Sequence, residues 1–382
     1  MRIAVDTRFL YTARTGVRAY AEGLLPALER VGALHELRLL SPQHGPRTGA
    51  TRIDKVLNHL ATIGWTELLL PARVARLRCD VLLSLEYTSP LVTHCPCVVV
   101  FYDALFWADS TRYNRWWRLL QDTLTLPAAR HAARVITISE YARQDIARHT
   151  RIPLERIVAI HLAAKPRASD HADAQADRAV LARYDLADRP YLLHLGVLEK
   201  RKNLPLLVRA FARCRQALGE PLQLVLAGQP GPKTDMDDTP AIRTAIEELG
   251  LGDAVRLTGF VSDADVPALY RGCRAFAFPS LQEGFGIPIL EAFAYGVPVV
   301  AARATALPEV GGDAALYFEP TDADDLARCL QRVLVDDALR AQMIARGRER
   351  AELFTWDRTA RGVLDILEAV VAERVAKGGH DA

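Results

Sequence analysis

Strand-length apolar runs alternate with longer stretches of helical period through almost all of this chain. The first set of runs is Arg2–Val5, Leu37–Leu40, Val81–Ser84, Val98–Phe101 and Val135–Ile138, with helical stretches such as Ala19–Val31 and Tyr113–Ala133 between them. Such alternation predicts a parallel sheet covered by helices on both faces. Lys165–Ala187, rich in Ala and Asp, has no strand character and reads as a junction. A second set follows: Tyr191–Leu195, Gln223–Ala227, Val255–Thr258, Ala275–Phe278, Val297–Ala301 and Leu316–Phe318, with helices at Leu204–Leu218, Ala241–Leu249 and Asp322–Val335. The expected fold class is therefore α/β, two doubly wound Rossmann-like domains joined by a linker and facing across a cleft. In such sheets ligands bind outside the carboxyl ends of the strands. The expected domains are 1–165 and 166–355, with a C-terminal helix over Trp356–Lys377 crossing back to brace the first.

A chain of 382 residues is long enough for two domains of ordinary size. Its net charge of +2 gives no nucleic-acid signal. The six cysteines are scattered, and Cys95-Pro-Cys97 is one residue too tight for a metal knuckle, so all six read as reduced thiols of a cytoplasmic protein. Met1-Arg-Ile-Ala-Val-Asp6 enters a strand at once, with no secretory leader read ahead of it. No apolar run approaches the ~20 residues that span a bilayer.

The most informative stretch is Glu-Gly-Phe-Gly-Ile-Pro-Ile-Leu-Glu, 283–291. Upstream, Arg274 to Pro279 reads as a buried strand. Downstream, Pro288 to Tyr295 reads as a helix, with proline suited to its first turn and Gly296 to its stop. At a strand–loop–helix junction, backbone N–H groups and the positive end of the helix dipole favour an anion. Gly284 and Gly286 allow close approach to the main chain. Glu283 lies in the loop and Glu291 about one turn into the helix. Two such carboxylates can grip hydroxyls of different rings of one elongated ligand, and a sugar–diphosphate–ribose fits that description.

Two further junctions carry glycines. His194-Leu-Gly196-Val-Leu-Glu-Lys200-Arg201-Lys202 ends a strand in three consecutive cations. Fixed cations stabilise a departing diphosphate more in the transition state than in the ground state. Arg201 offers a forked contact and Lys202 a point charge. The first junction, Asp6 to Arg18, holds only Gly16 and is not a dinucleotide fingerprint; no Gly-x-Gly-x-x-Gly follows either first strand, which argues against hydride transfer. The acid clusters Asp235-Met-Asp-Asp238 and Asp322-Ala-Asp-Asp325 read as solvated loop and helix-start residues, not metal sites.

With these residues in view, the chain resembles retaining GT-B glycosyltransferases of family 4, of the bacterial mannosyltransferase type that builds O-antigen and exopolysaccharide. The likeness is carried by Gly-Val-Leu-Glu-Lys-Arg-Lys-Asn-Leu (196–204), Leu-Ala-Gly (226–228), Val-Arg-Leu-Thr-Gly-Phe-Val (255–261) and Pro-Ser-Leu-Gln-Glu-Gly-Phe-Gly-Ile-Pro-Ile-Leu-Glu-Ala (279–292). Gly-Val-Pro-Val-Val (296–300), Leu-Pro-Glu-Val (307–310), Thr-Gly-Val-Arg-Ala-Tyr (15–20) and Val-Ile-Thr-Ile-Ser-Glu-Tyr-Ala (135–142) extend it over nearly the whole chain. The resemblance implies that Glu283 binds the donor sugar with the N–H groups of Gly284, Phe285 and Gly286. It implies that Glu291 holds the ribose, that Arg201 and Lys202 clamp the diphosphate beside Gly196, and that no metal or other cofactor is needed. Gly16 and Asp103 fall on the acceptor side. Two positions depart from the family pattern: Val197 stands where many relatives carry Arg, and Phe101-Tyr102-Asp103 where they often carry His-Asp. Tyr102 can donate to the reacting sugar but is a poor base near neutral pH.

The resulting expectation is a retaining hexosyltransferase, moving mannose from GDP-mannose onto a lipid-linked saccharide at the inner face of the cytoplasmic membrane. A dTDP-rhamnose or UDP-sugar donor is the alternative within the class, and a non-catalytic nucleotide-sugar-binding subunit the alternative outside it. Peripheral membrane contact is expected through Arg112-Tyr-Asn-Arg-Trp-Trp-Arg118, followed by Arg130, His131 and Arg134.

Overall fold

The computed structural model describes residues 1–11, 16–43, 45, 51–108, 118–119, 121–165, 173–187, 189–219, 221–231 and 233–378. The chain divides into two compact units, Met1–Leu162 with Thr355–Ala382, and Ala163–Phe354.

Unit 1 is built on a parallel sheet of six strands: β1 (Arg2–Asp6), β2 (Glu36–Leu40), β3 (Val81–Ser84), β4 (Cys97–Val100), β5 (Arg134–Thr137) and β6 (Ile157–Ala159), in the order β2-β1-β3-β4-β5-β6. The chain runs from β1 to β2 on one side and then returns to place β3 on the other. This sheet therefore changes direction between β1 and β3, where Asp6 pairs in register with Ser84. Strands β3 and β4 are buried throughout. Continuous apolar runs, not alternating ones, are what a parallel sheet covered on both faces requires. Edge strand β2 is partly exposed, as an unflanked strand allows. Helix α1 (Gly16–Val31) packs against the C-terminal helix Trp356–Gly378. Tyr20 meets the Trp356 ring edge-on at 6.0 Å, and the Thr359 hydroxyl donates to the His161 carbonyl at 2.7 Å. Helix α2 (Arg52–Gly64) opens with a capping box in which Thr51 and Asp54 satisfy each other's backbone N–H.

Unit 2 repeats the plan with β7 (Tyr191–Leu195), β8 (Gln223–Ala227), β9 (Val255–Gly259), β10 (Ala275–Phe278), β11 (Val299–Ala302) and β12 (Ala315–Phe318), in the order β12-β11-β10-β7-β8-β9. Its direction changes between β7 and β10, which pair through Leu192–Ala275 and Leu193–Phe276. Helix α3 (Leu204–Leu218) follows the basic junction, and α4 (Ile287–Ala294) follows the glycine loop.

The expected strands and helices recur within one or two residues at most ends. Strand β6 and helix α2 are additions to the sequence reading. Of the helix expected over Tyr113–Ala133, residues 118–119 and 121–131 are helical, with a π turn at Gln121–Thr125 leading into Leu126–His131, and residues 113–117 and 120 lie outside the described residues.

Candidate active site

The carboxyl ends of β7 and β10 carry the two loops that the sequence singles out in unit 2. Gly196 leaves β7 with its N–H bonded to the Ala227 carbonyl at 2.9 Å. A side chain at Gly228 would place its Cβ 1.8 Å from the Gly196 carbonyl oxygen, so the Leu-Ala-Gly ending of β8 is what lets the basic loop lie this close. Lys200–Lys202 form one 3-10 turn, after which Asn203 adopts a left-handed conformation at φ 56° and starts α3, with its side-chain amide donating to the Pro320 carbonyl at 2.9 Å. The N–H of Leu281, in the loop after β10, bonds to the Arg201 carbonyl at 2.8 Å and ties the two loops together.

Their side chains meet in an ion cluster. Glu283 Oε1 lies 2.5 Å from Lys202 Nζ and 2.8 Å from the Arg201 guanidinium. Arg201 is held from behind by Glu199 at 2.8 Å and donates to the Gln282 carbonyl at 3.2 Å. Lys202 is only 6 % exposed, and its Nζ sits 4.8 Å from the centre of the Phe278 ring. The Glu283 N–H donates to the Thr305 hydroxyl at 3.1 Å. Burial works to raise the Glu283 carboxyl, but Lys202 and Arg201 outweigh it and pull it down to about 2. Burial draws the Lys202 ammonium below its ordinary value, with Glu283 opposing. For Arg201 burial also disfavours charge, but Glu283 and Glu199 prevail and hold it above the usual value. Glu283 is thus a fixed acceptor and Arg201 a fixed cation.

Two members of this cluster escape a reading of the sequence. Glu199 is two residues from Arg201, and only the 3-10 turn brings their side chains together. His194, fully buried in β7, lies 3.0 Å through Nδ1 from the Ala277 carbonyl, while its Nε2 has no partner among the described residues. Burial first, and the Lys202 charge second, hold its imidazole down to about 3. With Nδ1 donating to a carbonyl, Nε2 is left as a bare acceptor. A Cβ at Gly196 would lie 3.6 Å from that nitrogen and 3.7 Å from Lys202 Nζ, which places both beneath the glycine. The signal available beforehand is a lone histidine in an otherwise apolar strand.

The remaining donor-side candidates lie along the same loop and helix. Gly286 adopts φ 116° at the start of α4, a conformation that favours glycine, and Leu307 closes over the place of its missing side chain. The Phe285 ring is buried against Phe354 at 5.9 Å, so only its backbone is suited to a ligand. Glu291 is buried in α4 and accepts the Tyr270 hydroxyl at 3.2 Å.

Unit 1 places its three candidates differently. Gly16 is the exposed first residue of α1, and no described atom would crowd a side chain there. Tyr102 is buried, stacks edge-on with Tyr20 at 5.5 Å, and donates its hydroxyl to the Leu85 carbonyl at 2.6 Å. Burial holds its phenol well above the ordinary tyrosine value. The hydroxyl proton of Tyr102 is thus engaged within the unit by the Leu85 carbonyl. Asp103 is half-buried and accepts the hydroxyl of Tyr87. The basic aromatic stretch falls outside the described residues except for Arg118. Of the cations after it, Arg130 donates to the Thr150 carbonyl at 2.8 Å and Arg134 pairs with Glu373 of the C-terminal helix, so they brace unit 1 instead of forming an open basic face.

Among the described residues no three His, Cys, Asp or Glu side chains converge as metal ligands. Asp322 caps the helix Ala323–Val335, and Asp237 accepts from the Gly231 and Thr239 backbones.

Two parallel doubly wound sheets, with paired loops at a strand-order reversal, define the fold class as that of GT-B glycosyltransferases. Residues 179–350 match the family "Glycosyl transferases group 1". The chain is 36% identical over 224 residues to the O-antigen chain mannosyltransferase B of Escherichia coli, covering 58% of this chain and 57% of that protein. It is 32% identical over 228 residues to the serotype-specific mannosyltransferase WbdA of Escherichia coli, covering 59% of this chain and 27% of the relative. The alignments thus span about half of one relative's length and about a quarter of the other's. The same fold occurs in HepE of Anabaena, solved with UDP and glucose, at a TM-score of 0.69 and 18% identity over 97% of this chain and 100% of that one.

Proposed function

We propose that this chain transfers a hexose, mannose from GDP-mannose, onto a lipid-linked saccharide with retention of configuration, in bacterial polysaccharide synthesis at the cytoplasmic face of the membrane. The observation that carries the proposal is the Arg201–Lys202–Glu283 cluster at the strand-order reversal of unit 2. The two cations take the diphosphate, and Glu283, kept ionised by them, accepts hydroxyls of the donor sugar. Glu291 takes the ribose, and the main chain at Gly196, Gly284, Phe285 and Gly286 adds N–H donors to the phosphates and the sugar. The bond from the anomeric carbon to the diphosphate oxygen breaks while the acceptor oxygen bonds on the same face. The acceptor's proton passes to the departing phosphate oxygen, so the step needs no side-chain base. Stabilising the charge that develops on the leaving group is the protein's main contribution. Such a cluster supplies the charge without a metal or other cofactor. Mannose is favoured by the named activities of the relatives in Escherichia coli. A UDP-sugar or dTDP-rhamnose donor would use the same cluster.

A lipid-linked acceptor calls for contact with a bilayer surface. Among the described residues no helix is long and apolar enough to cross one. Ile53, Val56, Leu57 and Leu60 instead form an exposed stripe at helical spacing on α2, with Ile53 71 % and Leu60 59 % accessible, which suits interfacial docking. Leu60→Glu is expected to reduce co-sedimentation with anionic vesicles several-fold without changing GDP binding; unchanged co-sedimentation would remove the stripe from this role.

The activity is tested with GDP-, UDP- and dTDP-sugars and a panel of lipid-diphosphate-linked saccharides, reading product anomeric configuration by NMR. An axial α-mannoside from GDP-mannose is expected. Binding of a nucleotide sugar without turnover on any acceptor would favour the non-catalytic reading.

A further inference from the structure

One buried polar atom of unit 2 has no part in the transfer chemistry. His194 lies in β7 with its ring nearly parallel to those of Phe276 and Phe278 in β10, 6.4 and 6.1 Å away. Its Nδ1 is engaged by the Ala277 carbonyl at 3.0 Å. Its Nε2 meets neither solvent nor, among the described residues, any partner. Buried acceptors are nearly always paired, and a bare one costs stability. A phenylalanine would fill the same place without that cost, so the nitrogen calls for a role. The hydrogen donor beside it is Lys202. The Cβ that Gly196 lacks would stand 3.6 Å from Nε2 and 3.7 Å from Lys202 Nζ, so the two nitrogens flank the same bare face of the glycine. Nζ also lies 4.8 Å from the centre of the Phe278 ring, beside which His194 is stacked. Of the charged groups that act on the imidazole, Lys202 acts most strongly, ahead of Glu283 and Arg201.

The two cations of the cluster are held unequally. Arg201 keeps Glu199 at 2.8 Å and the Gln282 carbonyl at 3.2 Å whatever Glu283 does. Lys202 is a point charge on a flexible stem with three hydrogens to place, and its one described hydrogen bond goes to Glu283 at 2.5 Å. Once Glu283 turns to the hydroxyls of a donor sugar, Lys202 needs another acceptor to keep its direction. A second carboxylate would hold it but cancel the charge that a diphosphate requires. A neutral imidazole holds it and leaves that charge intact. We infer that His194 is a positioning residue of the donor site: when a diphosphate draws Lys202 from Glu283, the bare Nε2 accepts one ammonium hydrogen and aims Nζ at the leaving group. No proton is transferred, and His194 touches no substrate. This rests on the donor reading of Arg201, Lys202 and Glu283 and adds to it the residue that keeps Lys202 in place.

The test uses the full chain with isotopically labelled histidine, titrated with GDP and followed by nitrogen NMR, with GDP affinity measured in parallel by calorimetry. GDP should move the Nε2 resonance of His194, identified by its loss in His194→Phe, upfield, as hydrogen bonding to an unprotonated ring nitrogen does. His194→Phe keeps a flat ring beside Phe276 and Phe278 and removes the acceptor. It should weaken GDP binding about tenfold, the scale of one hydrogen bond to a charged group. His194→Gln carries an amide oxygen to about the place of Nε2 and should restore most of that loss. In a Lys202→Ala background, His194→Phe should cost no further GDP affinity, whereas a packing defect would cost the same in both backgrounds. Equal losses with and without Lys202, wild-type GDP affinity in His194→Phe, or a resonance unmoved at saturating nucleotide would each overturn the inference. A resonance that moves with UDP and not with GDP would support His194 and strike the GDP-mannose reading alone. The full set of expected binding effects in a protein that transfers no sugar would support His194 and strike the transfer reading alone.

Discussion

The two units place an ion cluster at the same topological point, and the clusters differ in charge balance: two cations against two carboxylates in unit 2, one cation against two carboxylates in unit 1. At the reversal in unit 2, Arg201 and Lys202 share Glu283, with Glu199 behind Arg201. At the reversal in unit 1, a single Arg8 stands between Asp6 and Glu86. Parallel strands of one sheet leave a crevice wherever neighbouring connections run in opposite directions. The fold fixes where a ligand fits, and the charge balance decides which ligand. Two cations that can be shared with an incoming diphosphate suit a nucleotide sugar. A carboxylate excess does not.

The largest test of this contrast is removal of the cluster in unit 2. Lys202→Ala is expected to lower transfer by about 10²–10³-fold, the usual effect of deleting one transition-state donor. Glu283→Ala should do at least as much and, by leaving the buried Lys202 ammonium without its carboxylate while Arg201 keeps Glu199, also cost about 3 kcal/mol of stability in urea. Added GDP should recover part of that stability, because the diphosphate restores negative charge between Arg201 and Lys202. Near-normal turnover in Lys202→Ala would break the comparison at its root.

The sequence carries much of unit 2 on its face and less of unit 1. Strands β7, β8 and β10 are short and, apart from His194 and Gln223, apolar, and glycine or proline lies at their ends, so their limits could be read to the residue. The loops that bear Arg201, Lys202 and Glu283 follow directly from them. Strand β6 has only three residues, too few for any period. Helix α2 does carry helical spacing at Ile53, Val56, Leu57 and Leu60, but that face lies open instead of toward the sheet, and nothing in the neighbouring sequence marks it as an element of the core. Partners set by tertiary geometry stay hidden altogether. Glu86 is a glutamate in a short loop until β1 brings Arg8 beside it. Tyr102 appears available until Leu85, on a neighbouring loop, proves to hold its proton.

A steric test sharpens the same point about unit 2. Gly228→Ala would drive a methyl against the Gly196 carbonyl, which has no flexible side chain to yield. A loss of about 3 kcal/mol, at the upper end of overpacking, is expected in denaturant titrations, together with weaker GDP binding because the basic loop must move. Wild-type stability would mean that the loop is not seated on β8 as described.

Acid titration compares the clusters through their protons. The Glu283 carboxyl is held at about 2 against an ordinary value of 4.5, so the folded state binds its proton less readily than the unfolded chain does. Its contribution is complete above about pH 4.5 and disappears as the pH falls through about 2, amounting to at most about 3 kcal/mol. Burial shifts Asp6 and Glu86 the other way, upward, so unit 1 gains nothing of the kind. Urea midpoints between pH 5 and 2 should therefore fall less steeply in Glu283→Gln than in the wild type, and Glu86→Gln should not flatten them. Parallel wild-type and Glu283→Gln curves would remove the electrostatic account of Glu283.

The smallest expected effect discriminates most finely between a packing role and a chemical one in unit 1. Tyr102 follows β4 directly, yet its hydroxyl donates to Leu85 at 2.6 Å and its ring is wedged against Tyr20 and Tyr87. Tyr102→Phe keeps the ring and deletes one buried hydrogen bond, leaving the Leu85 carbonyl without that donor. The expected loss is about 1 kcal/mol of stability, with transfer within about twofold of wild type, because a phenol whose proton is already committed contributes little to the reacting centre. A hundredfold fall in turnover at unchanged stability would return Tyr102 to the chemistry and shift weight from the charge of the two clusters to the strand end after β4.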